Sequence, residues 1–266
     1  MSVSLLDPQK LSEKLMVAVV NTGRWQATRQ HKRETRAVNE AHNTKAAKVL
    51  VRVSDHSALR EIQSLHQEVY QEHRRLTLPT VQDGMRLLPA GREFEHAEAM
   101  RKFKDRHDRL VAQFLADYED ERRSAPQRLN GLFDPSMWPS LAEMEQKFKF
   151  TTRYLSAPTG GAWDEWLMTS AEEAEKELRG RIAESLKRVR ERCKADGKLY
   201  ATVFDSIREL TALVPDLDFS GDYAPVVKAM EPLAALHAED LRDDKAARIK
   251  VAKQADSILS VLGGIK

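Results

Sequence analysis

The stretch TLPTVQDGMRLLPAGR, residues 77–92, separates two long segments of helical periodicity, and its reading decides the fold. It carries Pro79, Pro89, Gly84 and Gly91, which punctuate a chain that holds no other Gly or Pro back to Gly23, so it reads as a loop. Upstream, Val49, Val53, Leu59, Ile62, Leu65, Val69 and Leu76 recur at spacings that predict a helix over 41–76. Downstream, Met100, Phe103, Leu110, Phe114 and Tyr118 form a second stripe, predicting a helix over 93–123. Two long helices joined by one loop fold back on each other, giving an antiparallel, coiled-coil-like hairpin arm roughly 45 Å long.

Outward from the hairpin the signals shorten. Asp7 followed by Pro8 fits a helix start, and LMVAVV (15–20) fits a short buried strand, so a helix-to-strand passage is expected there. Residues 124–140 are turn-rich. Ser140 and Glu143 have capping-box spacing. Phe148, Phe150, Thr152 and Tyr154 alternate with Lys147, Lys149, Thr151 and Arg153, the period of two of a half-buried strand, which could pair with 15–20. Ala157-Pro158-Thr159-Gly160-Gly161 then marks a boundary between an N-terminal region, 1–160, and a C-terminal helical region, 161–266.

The second half reads as helices throughout. Ser170 and Glu173 repeat the capping-box spacing. Leu178, Ile182, Leu186, Val189 and Cys193 make a buried stripe, with Gly197 as the stop. Further helices are expected over 199–214, ended by Pro215, over 222–241 with a break near Pro232, and over 243–262. The fold class is therefore mainly α: a long antiparallel helical hairpin plus C-terminal helices, with one or two short β-strands. Stripes this long exceed what one hairpin covers, so self-association, most simply as a dimer, is expected.

Composition narrows the function classes. Charged residues are 32% of the chain, against roughly 25% on average, while aromatics are 6%. That balance favours long helices with one buried stripe. Cys193 is the only cysteine, which excludes an intramolecular disulfide and a multi-cysteine zinc site. No membrane-length apolar run or secretory leader is read in the sequence, so the expected location is the cytoplasm.

No motif supplies catalysis. His66 and His73 lie two turns apart on the first arm helix, about 10 Å along the axis, too far for one metal unaided. His107 falls on the stripe of the second arm helix. These read as seam histidines hydrogen-bonded to opposing acids. Residues 216–222, DLDFSGD, open like a calcium-binding loop, but Val227 stands where the bidentate Glu belongs; a turn in which Asp222 caps the next helix is the better reading. Phosphate-cradling loops and a nucleophile elbow are absent. The carboxylates Asp117, Glu119, Asp120 and Glu121 read as solvated helix surface. No enzyme, no cofactor and no metal are expected.

Charge distribution points instead to binding. Between residues 24 and 52 stand Arg24, Arg29, Lys32, Arg33, Arg36, Lys45, Lys48 and Arg52, against only Glu34 and Glu40, a net +6 in a chain whose total is +2. With Trp25 beside it, this segment could track a phosphate backbone and stack a base. The competing reading is a solvated helix face that pairs with acidic surface of the same or a neighbouring chain.

The strings TLPTVQDGMRLLPAGREF, RLNGLFDPSMWPS and KFKFTTRYLSAP resemble an uncharacterised family of phage and prophage-encoded helical proteins of unknown function, over roughly residues 15–160. Thr80 departs from the pattern, where an aromatic is usual. The resemblance implies a phage-encoded protein acting in the bacterial cytoplasm and brings no catalytic residues with it. The function expected is that of a non-enzymatic phage accessory protein that binds nucleic acid in replication or recombination. The alternative is a helical scaffold or an inhibitor of a host defence protein.

Overall fold

A computed structural model describes residues 7–194 and 199–265. Asp7 accepts a hydrogen bond from the Gln9 amide and Pro8 opens helix α1 (Pro8–Lys14), which passes directly into strand β1 (Leu15–Gly23). The remaining strands are β2 (Thr28–Gln30), β3 (Leu50–Arg52), β4 (Leu78–Pro79), β5 (Arg86–Pro89) and β6 (Lys149–Ser156). The other helices are α2 (Lys32–Ala41), α3 (Ser57–Leu76), α4 (Glu93–Leu129), α5 (Leu141–Glu145), α6 (Ala162–Arg192), α7 (Asp205–Leu217), α8 (Ala224–Ala234) and α9 (Lys245–Gly263). The fold is mainly helical, with a four-stranded sheet of order β4-β5-β1-β6 and a separate two-stranded ribbon, β2-β3.

Three expected segments are corrected. The single helix over 41–76 is absent. The chain turns at Asn43, whose φ is 48°, runs as β3, and begins α3 only at Ser57. Val49, Val51 and Val53 are β-branched residues that suit a strand once a partner strand is present. Ser54 Oγ accepts from the His56 amide and His56 Nδ1 from the Ala58 amide, which starts α3 afresh. Residues 77–92 are not a plain loop: β4 and β5 pair antiparallel, Leu78 opposite Leu87, and β5 pairs with β1, Leu15 opposite Pro89. Gly84, at φ 81°, makes the turn between them. Helix α4 continues to Leu129 through Pro126, giving 37 residues, about 55 Å of helix.

In the second half, α6 starts at Ala162, so Ser170 lies inside the helix and its hydroxyl accepts from the Val81 amide instead of capping. Gly197, the expected stop, lies outside the described residues. Pro215 falls inside α7 and Pro232 inside α8. The capping box at Ser140 and Glu143 is present, with Ser140 N–H donating to Glu143 at 2.8 Å.

The described residues form two compact units, and these do not follow a cut at residue 160. One draws on Met1–Val19, Arg74–Glu95 and Arg153–Lys266; the other on Val20–His73 and His96–Thr152. Each has its own apolar core. In the first, the α6 stripe Leu178, Ile182, Leu186, Val189 and Cys193 is buried among α7, α8 and α9 residues such as Leu213, Met230 and Ile258. Glu177 there is half-buried. Burial alone would raise its pKa, but Arg181, Arg86 and Arg74 around it hold the carboxyl below the usual range.

The second unit is built on α3 and α4. Ile62, Leu65 and Val69 of α3 join Met100, Phe114 and Tyr118 of α4 in its core. Cross-helix partners are His66 with His107, Glu68 with Arg106, and His73 with His96, and His56, just before α3, meets Asp117 of α4. Among the described residues, no helix of the protein is long and apolar enough to cross a membrane.

Candidate nucleic-acid interface

The basic segment belongs entirely to the second unit. Its scaffold is the β2-β3 ribbon, in which Thr28 lies opposite Arg52, Arg29 opposite Val51, and Gln30 opposite Leu50. Backbone hydrogen bonds extend the pairing at both ends, from the Val53 amide to Ala27 O (2.7 Å) and from the His31 amide to Val49 O (2.9 Å). Because successive strand residues face opposite ways, Arg29 and Val51 point inward while Thr28, Gln30, Leu50 and Arg52 are exposed.

The inner face rests on an aromatic cluster. Trp25 is 2% exposed, with its ring centroid 5.9 Å from Phe114 and 5.8 Å from Trp138. The Arg29 guanidinium lies 5.7 Å from the Trp25 ring and donates to Gln26 O at 2.7 Å and Thr28 O at 3.2 Å. The base-stacking role expected of Trp25 is therefore withdrawn, because the ring is already packed between other rings. Arg29 is likewise engaged with its own backbone.

The other basic residues do face solvent, around two clefts. The first, about 640 Å³, is lined by Arg24, Thr28 and Arg52 on one side and by Arg60, Gln63 and Gln67 of α3 on the other. The second, about 690 Å³, is lined by Gln30, Lys32, Arg36 and Lys45. Thr28 and Arg52 border one cleft and Gln30 the other, so the exposed ribbon face joins them. Lys48 is exposed beside β3. Arg33 is occupied, 3.0 Å from Glu34 and donating to Gly131 O at 3.1 Å. Arg52 lies 3.3 Å from Asp55.

The long connection between β2 and β3 is braced. Asn39 accepts from the Ala47 amide at 3.0 Å and donates to Ala47 O at 3.2 Å. The Thr35 hydroxyl, buried, accepts from the Val49 amide at 3.0 Å. From α4, Arg128 donates to Arg52 O and Val53 O, anchoring the far end of β3. Arg60, Gln63 and Gln67 were not expected from the charge count. Their spacing along α3, on the side away from Ile62, Leu65 and Val69, is the signal that would have found them.

The remaining residues singled out in the sequence lie outside this surface. His73 Nδ1 and His96 Nε2 are 2.8 Å apart and both residues are buried. The rings of His66 and His107 stack at 5.6 Å. His66 and His107 thus face one another, and the acid beside His107 is its own neighbour Asp108, 3.2 Å from Nδ1, rather than one on the opposing helix; burial, then His107, then Arg24 push the His66 pKa down to about 4. Among the described residues no group of three or more His, Cys, Asp or Glu could hold a metal. In the 216–222 turn the expected cap by Asp222 is not found: Tyr223 is the N-cap of α8, without a side-chain cap hydrogen bond, and Asp218 closes the turn, accepting from the Gly221 amide at 2.7 Å and the Tyr223 amide at 2.9 Å. Cys193 is buried, and burial pushes its thiol pKa up, away from nucleophile chemistry. No family model, no curated protein and no solved structure matches this chain.

Proposed function

We propose that the protein acts by binding nucleic acid through the basic face of its second unit, without catalysis of its own. The observation that carries this reading is the joined surface of ribbon and clefts, where Arg24, Lys32, Arg36, Lys45, Arg52 and Arg60 converge and Asp55 and Glu40 are the only carboxylates on the cleft walls. Clustered guanidinium and ammonium groups attract a phosphate backbone, and their affinity falls steeply with salt. The glutamine and threonine side chains between them add donors and acceptors. On the same reading α3 and α4 form an antiparallel hairpin, supported by partner numbers that rise along α3 and fall along α4. A phage accessory role in replication or recombination rests on the sequence resemblance alone.

The test is fluorescence anisotropy of labelled single- and double-stranded DNA at low and moderate salt. About six phosphate contacts give a roughly 10³-fold loss of affinity between 50 and 200 mM salt. The triple variant Arg36→Glu, Lys45→Glu, Lys48→Glu is expected to lose binding at every salt concentration while keeping its circular dichroism spectrum. No binding at low salt would retire the proposal. A second reading, a helical scaffold or inhibitor of a host protein, is favoured by Phe94, 82% exposed at the start of α4. A pull-down partner retained at high salt and lost in Phe94→Ala supports that reading instead.

A further inference from the structure

The ribbon β2-β3 carries a feature that phosphate attraction does not require. Its exposed face is four side chains in two cross-strand pairs, Thr28 with Arg52 and Gln30 with Leu50. Arg52 keeps two-thirds of its side chain in solvent, and Leu50 is 64% exposed. An exposed leucine set among an arginine, a glutamine and a threonine is poor design for a surface that touches only phosphates. It suits a surface that touches base edges. Arginine pairs in a bidentate manner with guanine, glutamine with adenine, and an apolar side chain packs on the thymine methyl group.

Building on the nucleic-acid reading above, we infer that the exposed face of β2-β3 enters the major groove of double-stranded DNA and reads its sequence. Three lengths and contacts support this. The paired segments 27–31 and 49–53 give a ribbon about 16 Å long at roughly 3.3 Å per residue. The two strands lie about 4.8 Å apart, and the major groove, about 12 Å wide, admits a two-stranded ribbon. Basic residues lie beyond both ends of the ribbon, Arg24 and Arg60 in the cleft at its Thr28–Arg52 end and Lys32, Arg36 and Lys45 in the cleft at its Gln30 end, so phosphates before and after the contacted bases meet cations.

The reading face is also held rigidly, as direct readout demands. Trp25 and Arg29 support it from beneath. Arg128 holds the backbone of Arg52, and Thr35 and Asn39 fix the connection between the strands. Asp55, 3.3 Å from the Arg52 guanidinium, orients it in the free protein. With Trp25 buried, the ribbon has no aromatic platform on which unpaired bases could stack, which separates this mode from single-strand binding.

The test is selection from a randomised 24-base-pair DNA library, followed by anisotropy on the selected duplex, a scrambled duplex, the matching single strand and an A-form RNA duplex. The RNA major groove is too deep and narrow to admit the ribbon. A selected motif bound at least about tenfold more tightly than the scrambled duplex, the single strand and the RNA supports the inference. Arg52→Ala and Gln30→Ala should each relax the motif at one position, lowering affinity for the selected duplex by about 5- to 100-fold and by a smaller factor for the scrambled one. Leu50→Ser, a solvent-facing change, is expected to relax a thymine position. Thermal midpoints near that of the unaltered protein check that the variants fold. Salt-sensitive binding to all four nucleic acids alike, with no motif, would overturn groove reading and leave the nucleic-acid reading intact. No binding to any of them would overturn both.

Discussion

The Trp25 ring meets Tyr118 edge-on at 6.3 Å and lies 5.8 Å from the Trp138 ring, so its value is in packing. Trp25→Ala is expected to destabilise the second unit by about 3–5 kcal/mol, read as a shift of the urea midpoint. In the triple variant Trp138→Phe, Trp163→Phe, Trp166→Phe, which keeps Trp25 as its one tryptophan, added DNA should leave the fluorescence of this buried indole unquenched. His66 makes a second argument at this scale. Its folded pKa, about 4, lies below the ordinary value of 6.5 because burial, His107 and Arg24 all disfavour the charged ring. The unfolded chain therefore binds the proton better. The stability that His66 contributes is present above pH 6.5 and is lost as the pH falls from 6.5 towards 4. His66→Leu should flatten the decline of the urea midpoint across that window. An unchanged decline in the variant would assign the acid sensitivity to other groups.

Among the elements, the ribbon depends on pairs that no local pattern announces. Strands of three residues are marginal by themselves, so β2 and β3 need the brace supplied by α2 and by Asn39. Asn39→Ala removes both hydrogen bonds to Ala47, and a loss of about 1–2 kcal/mol is expected. Hydrogen exchange at the Ala47 and Val49 amides should accelerate while the α4 amides hold their protection. Acceleration throughout the unit would instead mean that the connection and the core open together. At the same scale, the residues 77–92 look like punctuation in one dimension. They become β4 and β5 because Leu87 and Leu88 are fully buried and β1 offers Val17 and Met16 opposite them.

For the whole molecule, a dimer is the expected state. Light scattering coupled to size exclusion at micromolar concentration should return about twice the chain mass, 30.3 kDa. A two-fold pair would also present two ribbons, so a selected DNA motif with two symmetric half-sites would accompany it. A monomer at every concentration would restrict the site to a single half. The core of each unit is assembled from segments distant in the chain. Residues 15, 76, 87 and 178 meet in one, and residues 25, 62, 114 and 148 in the other. That is why a linear division at residue 160 could not describe the units.

Much of the local structure was legible from the residues alone. The Asp7-Pro8 helix start, the capping box at Ser140, the alternation over 148–155 and the buried stripe through Leu178 and Ile182 each depend on neighbours one to four positions away. Spacing along the chain therefore determined them. The charge excess over 24–52 was legible for the same reason, since composition needs no geometry. The direction each side chain faces was another matter. Val49 and Val53 fit a helical stripe until a strand at 28–30 came alongside, and Trp25 suited a base until Phe114 and Trp138 closed over it. Pairing between residues more than twenty positions apart is set by which apolar surfaces can be buried together, and only the tertiary structure decides that.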